Sequence, residues 1–544
     1  SSATLGNGGE WLIMESSLGW FAASALIAVV VAILARQRGW GMALPVLAVG
    51  AVVGVLPIGP EAAPDPEFFL IAILAPLVFG EALGSSFLDI RRVRRPVLVL
   101  AVGLVIATTL AVGGVALWIS AMPVAVALAL GAVLAPTDAV AVSTVARKAS
   151  LPRGLVSILE GESLVNDGTA LTALRVAVVA TIAGSITAVE ISVVFLLAVA
   201  VGIGIGLAGG WLLSFVISKS NDTIAANSLV LVAPFALYLG AEHLEGSGIL
   251  AVVVAGLYTA HAQTTKARNP GRLQSAMLWR HVTFVLQSLA FFMVGIYLIN
   301  TLLAVSNRDR LIVAVLVPAV VVTLILTRVV FVMVLVRVFR SKMPVFKGQS
   351  HSRLMRGSFI VGWSGARGPI SALAAFSIPL VVESGEPFPF RDVVVATTFG
   401  VIVVTLLLAQ TIGPLARRLK VQDIDGSQTA RRLDAALAYA ALKELDEAEE
   451  AADLTGQPIP REVIEGLRIE TQRRVDALAP LSEEAVDQPD AVTAGDLLRL
   501  MVRAEQEELL RIRDEEGLPD SIVRPVQLAL DMRHQALGPK KTGT

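Results

Sequence analysis

The chain has 544 residues, of which 55% are hydrophobic and only 16% charged, and its mean hydropathy is +0.73. A soluble globular protein carries about 25% charged residues, so most of this chain is not a water-soluble domain; with no cysteine, a disulfide framework, thiol chemistry and a zinc–thiolate site are excluded as well. The net charge of −1 hides a division: residues 1–420 hold 29 Lys and Arg against 19 Asp and Glu, whereas residues 421–544 hold 15 against 26.

Taken from the start, Ser1 to Ile13 is polar and reads as an appended stretch, with Met14 a natural beginning and residues 1–17 outside the membrane. No basic segment precedes the first apolar run, which argues for a first helix whose N-terminus lies outside rather than a cleaved signal. Apolar runs of about 20 residues then recur. They predict thirteen spans at 18–35, 40–57, 67–88, 96–119, 122–146, 153–183, 187–218, 223–241, 246–262, 278–304, 311–338, 357–381 and 391–417. Segments of about ten residues alternating in polarity, the mark of a membrane β-barrel, do not occur. The fold class expected is an all-α polytopic membrane protein with a C-terminal cytoplasmic helical domain. Alternate connectors, beginning with Arg36 and Arg38, hold twenty Lys and Arg, while the other set holds only Arg308, Arg310 and Arg391. By the positive-inside rule the C-terminus is cytoplasmic and the N-terminus external.

Two spans are interrupted, the fifth at Pro136-Thr137-Asp138 and the twelfth at Gly362 and Gly365-Ala366-Arg367-Gly368-Pro369. Paired interruptions in corresponding halves predict an inverted repeat whose discontinuous helices cross at mid-membrane; a glycine alone would more simply serve helix packing. After Arg417, residues 418–544 form an acidic tail with helical patterns at 431–453, 461–478, 493–516 and 520–537, punctuated by Pro458, Pro480, Pro489 and Pro519.

Carboxylates inside hydrocarbon-length helices cost about 2.5–3.5 kcal/mol each on insertion scales, so they mark ion pathways by default. Asp138, Glu162 and Asp167 are such groups. On the sixth span Ser163 and Asp167 share one face, and Glu162 and Asn166 share the neighbouring one. A hard monovalent cation takes oxygen ligands, which Asp138, Ser163, Asp167 and the carbonyl of Thr137 can supply. Asn166 has both a donor and an acceptor to tie down the break. Glu162 turns away from that face and is expected to neutralise the mid-span Arg328, with Arg367 the competing partner. Glu160 is placed near the cytoplasmic funnel as an electrostatic group, Arg175 could snorkel outward with its role left open, and His243, Glu242 and Glu245 lie in an external, solvated connector. Gln287 could line a pathway or pack between helices; packing is the preferred reading.

Together Pro136-Thr137-Asp138, Glu162-Ser163-Leu164-Val165-Asn166-Asp167, Phe79-Gly80-Glu81 and Trp363-Ser364-Gly365-Ala366-Arg367-Gly368 resemble the monovalent cation/proton antiporter family, in its Asn-Asp branch of sodium/proton exchangers. The resemblance spans about residues 18–417, and residues 505–537 resemble the cytoplasmic helices of the bacterial form. It implies a homodimer in a bacterial inner membrane, working by elevator-like alternating access and serving pH and sodium homeostasis. Core helices at 96–183 and 311–417 would move against dimerisation helices at 18–88 and 187–304. By position, Asp167, Asp138, Ser163 and the Thr137 carbonyl would bind Na+ (Li+ or K+ as alternatives), and Glu81 would contribute directly or through water. Asn166, Glu162, Arg328 and Arg367 would support the site. The family's Phe-Glu pair reads Phe-Gly-Glu here. Exchange would be one cation for one proton, with no cofactor and with the lipid bilayer rather than nucleic acid as surroundings. A channel would need a continuous path, typically lined by several subunits; a transport-dead sensor would put the signal in the tail; for an enzyme, the chain has no P-loop, no Gly-x-Ser-x-Gly and no metal-ligating His pair.

The acidic tail beneath basic cytoplasmic connectors is expected to dock there and tune the pH response, an attraction that salt weakens; the alternative is a solvated tail that aids only stability. Truncation after about residue 420 should therefore displace the pH–activity curve. An unchanged curve from a folded, truncated dimer rules regulatory docking out.

Overall fold

This structure, a computed structural model, describes residues 6–56, 69–85, 90, 94–138, 153–183, 188–220, 222–265, 271–339, 351–382 and 385–419, with residues 446, 449, 464–466, 468 and 469 of the tail. The chain forms two compact units, Ser1–Gly426 and Ser427–Thr544. The described helices of the first are α1 (Gly6–Gln37), α2 (Ala43–Val55), α3 (Leu70–Gly84), α4 (Arg94–Ser120), α5 (Val124–Leu134), α6 (Arg153–Ala183), α7 (Ala188–Lys219), α8 (Thr223–His243), α9 (Gly248–Thr265), α10 (Gly271–Ala304), α11 (Asn307–Phe339), α12 (His351–Trp363), α13 (Pro369–Phe376), α14 (Arg391–Ala409) and α15 (Ile412–Arg418). Among the described residues the exception to helix and turn is an isolated antiparallel bridge between Val381 and Pro387.

Among the described residues, eight helical segments are long and apolar enough to cross a membrane: those within α1, α4, α6, α7, α8, α10 and α11, and the run Arg391–Arg418. Four shorter apolar helices, α2, α3, α5 and α9, accompany them. The exposed side chains confirm a lipid-facing surface. Leu311, Val315, Val322, Leu326, Val330 and Val334 of α11 are all exposed, and their spacing in multiples of about one turn lines them along one face. A stripe of that size is stable against hydrocarbon and not against water.

Each of the thirteen predicted spans holds described helix, and the differences at the ends have local causes. α13 stops at Phe376, short of the expected 381, because Pro379 carries no N–H and restricts the residue before it. α10 begins at Gly271 instead of 278, in polar sequence that apolar periodicity does not report. α1 begins at Gly6, so helix extends into the stretch expected to be appended and to lie outside the membrane. In α3 the turn Leu70–Leu74 is π-helical; the wider turn relieves the clash between the Pro76 ring and the carbonyl of Ala72. The second half of the fifth span, residues 139–146, and the tail patterns at 493–516 and 520–537 lie outside the described residues.

Small residues set the closest approaches. α7 packs on α9 along Gly202, Gly206 and Gly210, where an added Cβ would come within 2.7 Å of the Ser247 carbonyl, 2.6 Å of the Ala251 carbonyl and 3.1 Å of Ala255. α2 packs on α10 with Gly50 against the backbone of Phe292 and Gly295 against that of Leu47. Such small-residue seams bring helix backbones together where lipid offers no hydrophobic drive for association. α4 packs on α5 and α11, α11 on α12 and α14, and α6 on α5. An aromatic chain joins Phe69, Tyr297 of α10, Phe376 of α13 and Phe399 of α14, with successive ring centroids 6.3, 4.8 and 5.1 Å apart.

The turn between α8 and α9 is fastened to α6. Arg175 donates to Glu242 Oε2 at 2.9 Å and to the Gly246 carbonyl at 3.2 Å, Glu242 Oε1 accepts the Gly248 N–H at 3.1 Å, and Thr172 donates to Ser247 Oγ at 3.1 Å. Arg175, whose role the sequence left open, is thus an inter-helix tie, and Glu242 is paired with it; His243 is exposed. In the second unit, Arg468 donates to Asp446 at 2.6 Å and Glu449 at 2.8 Å, joining two helical stretches of the tail.

The glycine seams give a test of opposite signs. Gly295→Ala overpacks the α2–α10 contact and should destabilise the protein by about 1–3 kcal/mol. Gly240→Ala, with nothing within 4 Å of the added Cβ, should stabilise it by roughly 0.5–1 kcal/mol through helix propensity. Thermal unfolding of the detergent-purified variants reads both.

Candidate cation site

α5 ends at Leu134 because Pro136 cannot donate the next helical hydrogen bond, and α12 ends at Trp363 ahead of a glycine-rich stretch before Pro369 opens α13. The two interruptions meet. The Asp138 N–H donates to the Ala366 carbonyl at 2.9 Å, and Arg367 Nε donates to the Leu134 carbonyl at 2.7 Å. Arg367 also donates to the Gly365 carbonyl at 2.5 Å, while its own N–H donates to Thr405 Oγ1 at 3.1 Å. Backbone groups freed by each break are satisfied by the other break, as an apolar surrounding demands. Gly368 is required here: a Cβ would stand 2.7 Å from Asp138 Oδ2 and 2.8 Å from its Cβ.

α6 supplies the rest. Ser163 Oγ donates to the Thr137 carbonyl, and Asn166 Nδ2 donates to Thr137 Oγ1 at 3.1 Å, so one turn of α6 holds the end of the α5 break. The buried acids of this turn have different surroundings. Glu162 receives both terminal nitrogens of Arg328, at 2.5 and 2.7 Å, and Arg328 Nε donates to the Val361 carbonyl at 3.1 Å. Asp167 is 1% exposed, and its Oδ1, like Asn166 Oδ1, has no hydrogen-bond partner among the described residues.

A cavity of about 10 Å³, room for roughly one water-sized sphere, is lined by Glu81, Thr137, Asp138, Gln287 and Ser371, with apolar walls including Leu77 and Phe291. Glu81 Oε1 accepts from Gln287 Nε2 at 3.3 Å. Glu81 and Asp138 are within electrostatic reach of Asp167. The structure therefore gathers Glu81, Thr137 and Asp138 around one cavity and joins Ser163 and Asn166 to it through Thr137. Glu162 and Arg328 form a pair of their own, and Arg367 belongs to the crossing of the breaks. Gln287 lines the cavity, although packing alone was the preferred expectation. Ser371, which was not singled out from sequence, also lines the cavity, and its buried Oγ has no hydrogen-bond partner among the described residues. The signal available for it was a hydroxyl three residues beyond Gly368 in an otherwise apolar run.

Removing one member of a buried ion pair leaves the other charge uncompensated, at a cost of about 3–5 kcal/mol. Glu162→Gln should therefore lower the unfolding temperature more than Asp167→Asn does. Wild-type stability of Glu162→Gln together with weakened cation binding would place Glu162 in the ion site.

Comparison with known proteins gives a consistent result. The family model "Sodium/hydrogen exchanger, transmembrane" matches residues 24–418. A sodium, potassium, lithium and rubidium/H+ antiporter of Bacillus pumilus is 33% identical over 69% of this chain, although the match spans only 57% of that protein's length. An uncharacterized Na+/H+ exchanger of Mycobacterium tuberculosis is 30% identical over 94% of this chain and 95% of its own. Among solved structures, the sodium proton antiporter MjNhaP1 of Methanocaldococcus jannaschii at pH 8 superposes with a TM-score of 0.62 at 18% identity, over 75% of this chain and 99% of that one. Broken helices that satisfy each other, acids buried on α6 and a family match across residues 24–418 lead to one conclusion: this multi-pass membrane protein belongs to the sodium/hydrogen exchanger family.

Proposed function

We propose that the chain is a secondary antiporter exchanging a monovalent cation, Na+ first and Li+ or K+ as alternatives, for H+ across a bacterial inner membrane. The observation that carries this reading is the contrast on α6: Glu162 is neutralised by Arg328, while Asp167 is equally buried and has an oxygen with no hydrogen-bond partner among the described residues. An uncompensated carboxylate in that position calls for a proton or a cation, and it can hold only one of them at a time. Asp138, the Ser163 hydroxyl and the remaining lone pair of the Thr137 carbonyl are the further oxygens for a Na+ at Asp167, and Glu81 lines the cavity with Thr137 and Asp138. The name of the Bacillus pumilus relative, which includes potassium and rubidium, supports keeping ions larger than Na+ among the substrates.

Coupling follows from competition. Proton loss frees Asp167 for the cation, so apparent cation affinity rises with pH until the site is fully deprotonated. The neighbour at 166 is Asn, a neutral residue, so that corner exchanges one charge, and we assign one cation per proton with no net charge moved. In this reading all thirteen spans cross the membrane as an inverted repeat, with the N-terminus outside and the C-terminus in the cytoplasm. α4–α6 and α11–α14 form a core that carries the ion past a scaffold of α1–α3 and α7–α10 by an elevator motion, and the scaffold joins two copies into a homodimer.

In proteoliposomes, Asp167→Asn should abolish exchange in both directions while remaining folded. Flux should not respond to a membrane potential clamped with valinomycin and K+, provided K+ is not itself transported. Robust exchange by Asp167→Asn removes Asp167 from the mechanism; a rate that follows the clamped potential at fixed pH rejects electroneutral stoichiometry alone.

A further inference from the structure

Glu81 and the acids that face it come from different parts of the fold. Asp138 ends the α5 break and Asp167 sits on α6, whereas Glu81 is on α3 and its hydrogen-bond partner Gln287 is on α10. Gln287 is 5% exposed and lines the same cavity as Glu81, Thr137 and Asp138. A neutral amide donor this deeply buried needs an acceptor, and the acceptor it meets is Glu81 Oε1.

The contact depends on how closely α3 lies on α10. One residue before Glu81, Gly80 faces Thr283 and Trp279 of α10; a Cβ there would stand 2.6 Å from Thr283 Oγ1 and 2.8 Å from Trp279 Cε3. Phe79 packs on the Trp279 ring with centroids 5.2 Å apart. Thr283 and Gln287 are four residues apart, so they stack on one face of α10, and the close approach allowed by Gly80 sets Glu81 beside Gln287. The extra glycine in Phe79-Gly80-Glu81 thus has a physical role in this chain.

We propose that Gln287 is a positioning residue for cation binding, which occupies Glu81 Oε1, ties Glu81 to α10 and leaves Oε2 as the oxygen not engaged by the amide. The inference rests on the reading of Glu81 as a contributor to the cation site. It makes Glu81 a wall-mounted group, fixed to α3 and α10 while Asp138 and Asp167 belong to the segments that carry the ion. The hydrogen bond of Gln287 goes to Glu81, and its effect on the cation passes through Glu81. The ionisable groups acting on Glu81 are Asp138, which lines the same cavity, and Asp167 on α6.

The test is a double-mutant cycle on full-length protein in proteoliposomes, reading the apparent KM and maximal rate for Na+ at several pH values. Gln287→Met keeps the length of the side chain and removes its donor. It should raise KM several-fold, and raise KM by a larger factor than it lowers the maximal rate. In a Glu81→Gln background the same substitution should add no further increase in KM, because the group it positions is already changed. An equal KM increase in both backgrounds overturns the inference, since Gln287 would then act independently of Glu81. A lowered unfolding temperature with unchanged KM also overturns it, leaving a packing role. Should Gln287→Met fail to fold, Gln287→Asn, which keeps the amide but shortens its reach, is read by the same criteria. If Glu81→Gln leaves KM unchanged, the assignment of Glu81 to the site falls, and the inference falls with it. If Glu81→Gln raises KM and Gln287→Met does not, only the inference falls.

Discussion

A helix that stops inside an apolar layer leaves N–H and carbonyl groups with no water to receive them, and each such group costs several kcal/mol if left alone. This chain has two such stops, after Leu134 and after Trp363, and the remainder of the site depends on how they are reconciled. The Asp138 N–H reaches Ala366 and the Arg367 guanidinium reaches Leu134, so each broken segment is the hydrogen-bond partner of the other. That mutual dependence explains why Gly368 lies against Asp138 and why Arg367, a full charge, is buried among backbone carbonyls. Remove the crossing and both helices would have to continue, carrying Asp138 to a different place.

Charge is distributed around the crossing by the same economy of partners. Glu162 and Arg328 cancel one another with two short hydrogen bonds, and Arg328 spends its remaining nitrogen on Val361. The pair is best understood as a fixed element that stitches α6 to α11 and α12. Asp167, one residue past Asn166, has no such cation on its Oδ1 among the described residues. Within one and a half turns of α6 the fold therefore places a carboxylate that is already answered beside one that is not.

The surroundings of the site divide by stiffness. Glycine seams lock α2 to α10 and α7 to α9, and an added methyl group at several of these positions would strike backbone. The contacts between α6 and the α8–α9 turn are of another kind, polar and partly exposed at Arg175 and Glu242; an exposed ion pair of this sort contributes about 0–1 kcal/mol. The seams are thus fixed by backbone contact, whereas the tie from α6 to the α8–α9 turn rests on weak polar contacts.

The sequence by itself determined the membrane class, the positions of the helices and both interruptions, because hydropathy over about 20 residues and the chemistry of proline and glycine are local properties. It also singled out Asp138, Glu162 and Asp167, since a carboxylate in an apolar run is costly wherever the run is placed. Partners are another matter. Whether Glu162 meets Arg328 or Arg367 depends on which helices adjoin α6 across 166 and 205 residues of chain, and periodicity carries no such information; the tertiary structure pairs it with Arg328 and gives Arg367 to the crossing. The role of Arg175 stayed open because its acceptors, Glu242 and Gly246, sit on a turn between two other helices. Gln287 and Ser371 were obscured for a related reason: a single amide or hydroxyl in a long apolar helix is commonplace, and only the packing of α3, α10 and α13 around one cavity distinguishes these from the rest.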